Sequence, residues 1–210
     1  MNPLWSPAEI TAGVPPPAVL PALRSILRWS AEYLTAVHPR LGRSGPVCPY
    51  TAPALRRDLL RFTAAPAATT ADAIARLLSA IRGVYLRHAA GLGESDRELL
   101  SYLVVLPGVD PTDPAGLDRV QAGLKDEYVT GGLMIGQFHP VCDSPGLWNR
   151  GFKALRAPVP LLAIRQMRDV DLPFLTEPGH LRSYLERFTG QLPARVRLQL
   201  VGRLTGARPG

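Results

Sequence analysis

The chain has 210 residues, 46% hydrophobic and 20% charged. That balance excludes wholesale disorder and suits one domain able to bury its own core. Two cysteines, Cys48 and Cys142, exclude a disulfide framework, and no stretch approaches the ~18 apolar residues that a membrane helix needs. The net charge is +7, carried by 22 Arg and only 2 Lys. With abundant Ala, Gly and Pro, this skew reads as the coding bias of a GC-rich genome. The basic C-terminal stretch has no aromatic after Phe188 on which bases could stack, so nucleic acid is not an expected partner.

In chain order, residues 1–15 hold several prolines and little periodicity, and read as a flexible arm. Leu20, Leu23, Ile26, Leu27, Trp29, Tyr33 and Leu34 recur at three- and four-residue steps, predicting a helix over 17–38. It should stop at His38-Pro39. Two glycines and two prolines make 41–50 a loop. A strand is expected within 57–64. An amphipathic helix follows over 72–90, capped by Thr70 and stopped at Gly91. Residues 101–107 read as a buried strand. Asp113-Pro114 should open the next helix, with Asp113 as its cap, and Gly131-Gly132 should close it. Residues 133–138 and 160–167 read as strands, with a long loop over 140–158 between them. Residues 178–188 read as a helix, and 194–204 are ambiguous between helix and strand.

This order predicts an α+β fold: a mixed central sheet with helices mainly on one face, in a single domain over 16–204. A basic tail follows over 205–210. The N-terminus lacks a basic segment followed by an apolar run, so no secretory leader is expected and the cytoplasm is the expected location.

A long polar-aromatic loop inside a compact domain points to function. The segment Gly131–Arg150 is the expected centre. His139 is the leading candidate, because a strand delivers it to that loop and imidazole can ligate a metal, bind heme iron or carry protons; the bland alternative is a hydrogen-bonded strand-end histidine. Arg150 and Arg156 could clamp a carboxylate through paired hydrogen bonds, or simply be solvated. Gln137 could orient a ligand, and Phe138, Trp148 and Phe152 could supply apolar walls. Cys48, in Gly45-Pro-Val-Cys-Pro-Tyr50, could present a thiolate or be a small buried apolar residue. His180 reads as solvated. Zinc spacings, phosphate-binding glycine loops and nucleophile elbows are absent from the sequence.

Arg43-Ser-Gly-Pro-Val-Cys-Pro-Tyr50, Gly132-Leu-Met-Ile-Gly-Gln-Phe-His-Pro140 and Pro158-Val-Pro-Leu-Leu-Ala-Ile-Arg165 together resemble a family of uncharacterised bacterial proteins found near specialised-metabolite genes. Cys48-Pro49, His139-Pro140, Arg150 and Pro160-Leu-Leu-Ala-Ile164, in that order, more distantly resemble the YqcI/YcgG family, which is similar to heme-dependent enzymes that oxygenate nitrogen. Gly136-Gln-Phe-His139 places two residues between Gly and His, where that family has one. This resemblance implies heme as cofactor, His139 as its axial ligand and Arg150 nearby. The function it implies is a heme-dependent oxygenase acting on nitrogen of a small amino-acid-like substrate. A non-heme small-molecule enzyme or binding protein using the same pocket is the alternative, as is an accessory protein of a biosynthetic pathway. No membrane partner is expected, and a homodimer is left open.

Overall fold

The computed structural model describes residues 3–65 and 70–205. Helix α1 (Pro7–Ala12) precedes α2 (Leu20–Trp29), which widens into a π-helical turn over Ser30–Leu34. Then come α3 (Thr51–Arg56), β1 (Leu60–Ala64), α4 (Ala71–Ala90), α5 (Glu94–Arg97), β2 (Ser101–Val105), α6 (Ala115–Thr130), β3 (Leu133–Phe138) and β4 (Leu161–Gln166). A 3-10 segment (Asp169–Phe174), α7 (Pro178–Phe188) and α8 (Ala194–Thr205) complete the order.

The segment expected as a flexible arm is packed. Ser6 Oγ accepts from the Glu9 amide, the Glu9 carboxylate accepts from the Ser6 amide, and Gly13 closes α1 at φ 80. Reciprocal capping of this kind satisfies donors that a short helix would otherwise leave open. Ile10 is buried, and Trp5 exchanges two backbone hydrogen bonds with Phe62 of β1. α6 begins one residue after Pro114 without a side-chain cap, so Asp113 does not serve the role expected of it. Thr70 does cap α4, through the Ala73 amide.

The four strands lie in the order β1-β2-β4-β3. β1 and β2 are parallel, while β4 runs antiparallel to both of its neighbours. The fold is α+β with one mixed sheet, as the order of elements implied. The two long helices share one face. Ile74, Leu78, Ile81 and Tyr85 of α4 and Leu117, Val120 and Tyr128 of α6 pack on Tyr102, Val104, Leu133, Ile135, Leu162 and Ile164. Each large apolar side chain buried there contributes about 1.5–3 kcal/mol. Tyr85 and Tyr128 spend their hydroxyls on the Leu100 and Leu78 carbonyls, and burial pushes both phenols far up.

The shorter α1 and α2 cover the opposite face over β1 and β2, through Ile10, Leu23 and Ile26 on Phe62, Leu103 and Val105. Beyond β3, α7 and α8 form a third apolar cluster with Met134, Met167, Leu175, Tyr184, Phe188 and Leu200. The ambiguous 194–204 stretch is therefore helical; of the basic tail, residues 206–210 lie outside the described residues. His180, expected to be solvated, is buried in α7, with Nε2 2.6 Å from Asp126 Oδ1.

Candidate functional site

An interior strand should be covered on both faces, and on one of them β4 is covered only in part, at Ala163 and Arg165. Side chains alternate along a strand, so Leu161, Ala163 and Arg165 share the face that α2 covers elsewhere. The register places Gly136 opposite Ala163, Met134 opposite Arg165 and Phe138 opposite Leu161. Ala163 and Gly136 remain partly exposed, although Leu161 and Met134 beside them are buried. Ala163 on β4 and Gly136 on the edge strand β3 thus form a thinly covered floor, with Ala163 packed in part against the α2 cluster.

The walls are aromatic and polar. α2 ends with Trp29 edge-on to Phe138, ring centroids 5.7 Å apart, and Trp29 stacks on Tyr33 at 5.8 Å. Ser30 follows Leu23 and Ile26 on the sheet-facing side of the helix. It is fully buried, and its hydroxyl has no hydrogen-bond partner. A π-helical turn starts at this residue, and such turns are frequent at functional sites.

At the other end of the floor stands Arg165. Its Nη1 donates to Asp171 Oδ2 at 2.7 Å and to the Gln166 carbonyl at 2.9 Å, and its Nη2 donates to Asp171 Oδ1 at 2.5 Å. Asp171 is 1% exposed and also accepts from the Arg168 amide. The Arg165 side chain keeps 29% of its surface. Burial alone would lower its pKa, but the hydrogen bonds and charge of Asp171 raise it, with Cys48 and Tyr50 adding in the same direction. Arg168 lies over the Tyr50 ring, 3.8 Å from its centroid, and is paired with Glu98.

His139 and Cys48 do not meet. Cys48 acts electrostatically on Arg165, whereas His139 follows the far end of β3 and turns to the opposite face, towards α6. Five residues separate the two levels along the strand pair, roughly 17 Å. His139 is 3% exposed; its Nε2 is 3.3 Å from Asp118 Oδ1, and its buried Nδ1 has no partner. Enclosed in this way, the ring offers no open coordination face in the present fold, so the arrangement does not fit a heme bound there. Among the described residues no three His, Cys, Asp or Glu side chains gather as a metal cage.

Other predicted residues divide between the two places. Phe138 lies at the floor. Gln137 points to the opposite face with His139. Arg150 is exposed, and Trp148 is 64% exposed. Arg156 donates to the Cys142 carbonyl and pairs with Asp143 at 3.1 Å, so it braces the loop. The rest of the loop is latched to residues 38–42. Asn149 donates to the Arg40 carbonyl, Arg40 donates to the Gly151 carbonyl, and Phe152 packs on His38 at 4.5 Å. Many of the loop's polar groups are thus occupied in holding it shut.

Sequence reasoning missed Ala163, Arg165 and Asp171. A signal was present: Gly136 inside a strand marks a bare or closely approached backbone, and Arg165 interrupts an apolar strand six residues before Asp171.

No helix among the described residues is long and apolar enough to cross a membrane. Neither a curated protein nor a solved structure matches the chain. One family does: its profile, described as a domain of unknown function, DUF6875, matches residues 23–199. That span takes in the sheet, the aromatic wall, Arg165 and Asp171, and the chain belongs to the DUF6875 family.

Proposed function

We propose that the protein holds a small, partly apolar molecule against the thinly covered patch of its sheet around Ala163 and Gly136, as a non-heme enzyme or binding protein. The observation that carries this reading is the partial exposure of Ala163 on an interior strand, with Gly136 beside it. A floor of this kind, with aromatic walls and a few fixed polar groups, has the make-up of a ligand site. Trp29 and Phe138 supply the apolar contact.

The test is to fill the floor. Ala163→Leu puts a branched side chain where the ligand would lie, at a position that is only partly buried. Ligand-detected NMR against amino acids, aromatic acids and their neutral analogues should show binders for the native protein that the variant loses while keeping its Tm. Equal binding by both proteins would refute the site.

A heme-dependent nitrogen oxygenase is the second reading, and one observation favours it: the buried, unpaired Nδ1 of His139. It requires the enclosed ring, which meets Asp118 of α6, to be uncovered. Hemin titration followed in the visible spectrum decides it. A saturable Soret band, lost in His139→Ala, would establish the ligand; no band would retire the reading.

A further inference from the structure

We infer that the site takes a carboxylate, docked on the unfilled edge of Arg165; this rests on the reading of the thinly covered floor as a ligand site. A guanidinium has five N–H donors in a planar fork. Asp171 occupies one donor each of Nη1 and Nη2, and the Gln166 carbonyl takes the second donor of Nη1. What remains is Nε–H and the outer Nη2–H, the parallel pair along the side of the group. Nε has no acceptor among the described residues and is not sealed from solvent, and the Arg165 side chain keeps 29% of its surface. Two parallel N–H donors match the two oxygens of a carboxylate.

Asp171 makes this edge usable. Held at one end by a buried carboxylate, the guanidinium loses little further freedom when a second carboxylate docks at its side. The same pairing limits the charge. Arg165 with Asp171, and Arg168 with Glu98, form two neutral pairs. A monoanion brings one uncompensated charge into this half-buried place, and a phosphate dianion brings two. The chemistry favours a carboxylate.

The remainder of the ligand follows from the floor. Arg165 lies four residues along β4 from the level of Phe138, roughly 13 Å between backbone levels. With the carboxylate at Arg165, the body of the molecule lies over Ala163 and Gly136 and reaches the Trp29–Phe138 wall. A flat, apolar body of one or two rings suits the two small residues beneath it.

The experiment follows the Arg165 Nε–H signal of the 15N-labelled full chain, assigned by its loss in Arg165→Lys. Phenylacetate and indole-3-acetate are titrated beside their amides and phenyl phosphate. The acids are expected to move this signal, with the amides weaker by roughly tenfold or more and phenyl phosphate no tighter than the acids. Arg165→Lys keeps a charge for Asp171 but removes the fork, and should erase the preference of acid over amide. Ala163→Leu should lose acid and amide alike. If acid and amide bind equally, and Ala163→Leu abolishes both, the floor stands and the carboxylate inference is overturned. Tighter binding of phenyl phosphate also overturns it. If no probe perturbs Arg165 or the floor at millimolar concentration, both readings fail together.

Discussion

Replacing Asp171 with asparagine removes a charge and leaves the volume. In the native protein this carboxylate accepts three hydrogen bonds, two from Arg165 and one from the Arg168 amide, while almost fully buried. Breaking a buried ion pair from one side costs about 3–5 kcal/mol. Arg165 keeps 29% of its side-chain surface, so water can recover part of its hydration, and the expected loss falls to about 2–3 kcal/mol. For a chain of this length that lowers Tm by roughly 4–12 °C. Urea unfolding followed by far-UV circular dichroism measures it directly: the midpoint should fall with the slope unchanged. The double variant with Arg165→Met should recover part of the loss, because the stranded cation is then gone. A loss below about 1 kcal/mol for Asp171→Asn would refute the view that this pair organises the end of β4.

Three further outcomes are expected. Gly42 has φ +83, and a Cβ there would lie 2.9 Å from the Trp148 backbone; Gly42→Ala should cost about 1–3 kcal/mol and make the 140–158 loop the first site of limited proteolysis. Thr70→Ala should cost about 1 kcal/mol by removing the cap of α4, seen as a lower urea midpoint. His88 has its pKa lowered from 6.5, by burial and then by Arg61, and its Nδ1 meets the Tyr102 hydroxyl at 2.9 Å. The fold therefore favours the neutral ring. The stability it contributes is complete above pH 6.5 and declines as pH falls from there through the lowered folded value. His88→Gln should flatten that part of the stability–pH curve.

The elements that sequence periodicity revealed are those with long or strongly apolar patterns. α4 shows five buried positions at helical spacing, and β2 and β4 are short apolar runs closed by turn residues. α1 was illegible because six residues cannot show a period; its capping box was the readable sign. The site was half legible. Phe138 was chosen for its chemistry and lies at the floor, but His139 is enclosed against α6, Lys153 and Arg156 are paired with Asp143, and Arg150 is exposed. Arg165 was overlooked because an arginine in an apolar strand gains meaning only when the register sets it two residues beyond a partly exposed alanine. Asp171 needed a contact across a turn that composition cannot show.

The strand order has a consequence for how the molecule is made. β4 is the last strand in sequence, yet it lies between β2 and β3. Until it is inserted, β1 and β2 form a two-stranded ribbon with one open side, and β3 has no partner in the sheet. Both are unpaired edges of the kind that recruit other chains. Synthesis through residue 160 thus leaves two fragments that a single late strand must join. Ala163 and Arg165 sit on that strand, so the thinly covered patch and its cation come into being in the same step that closes the sheet, and a chain stalled before it would be aggregation-prone.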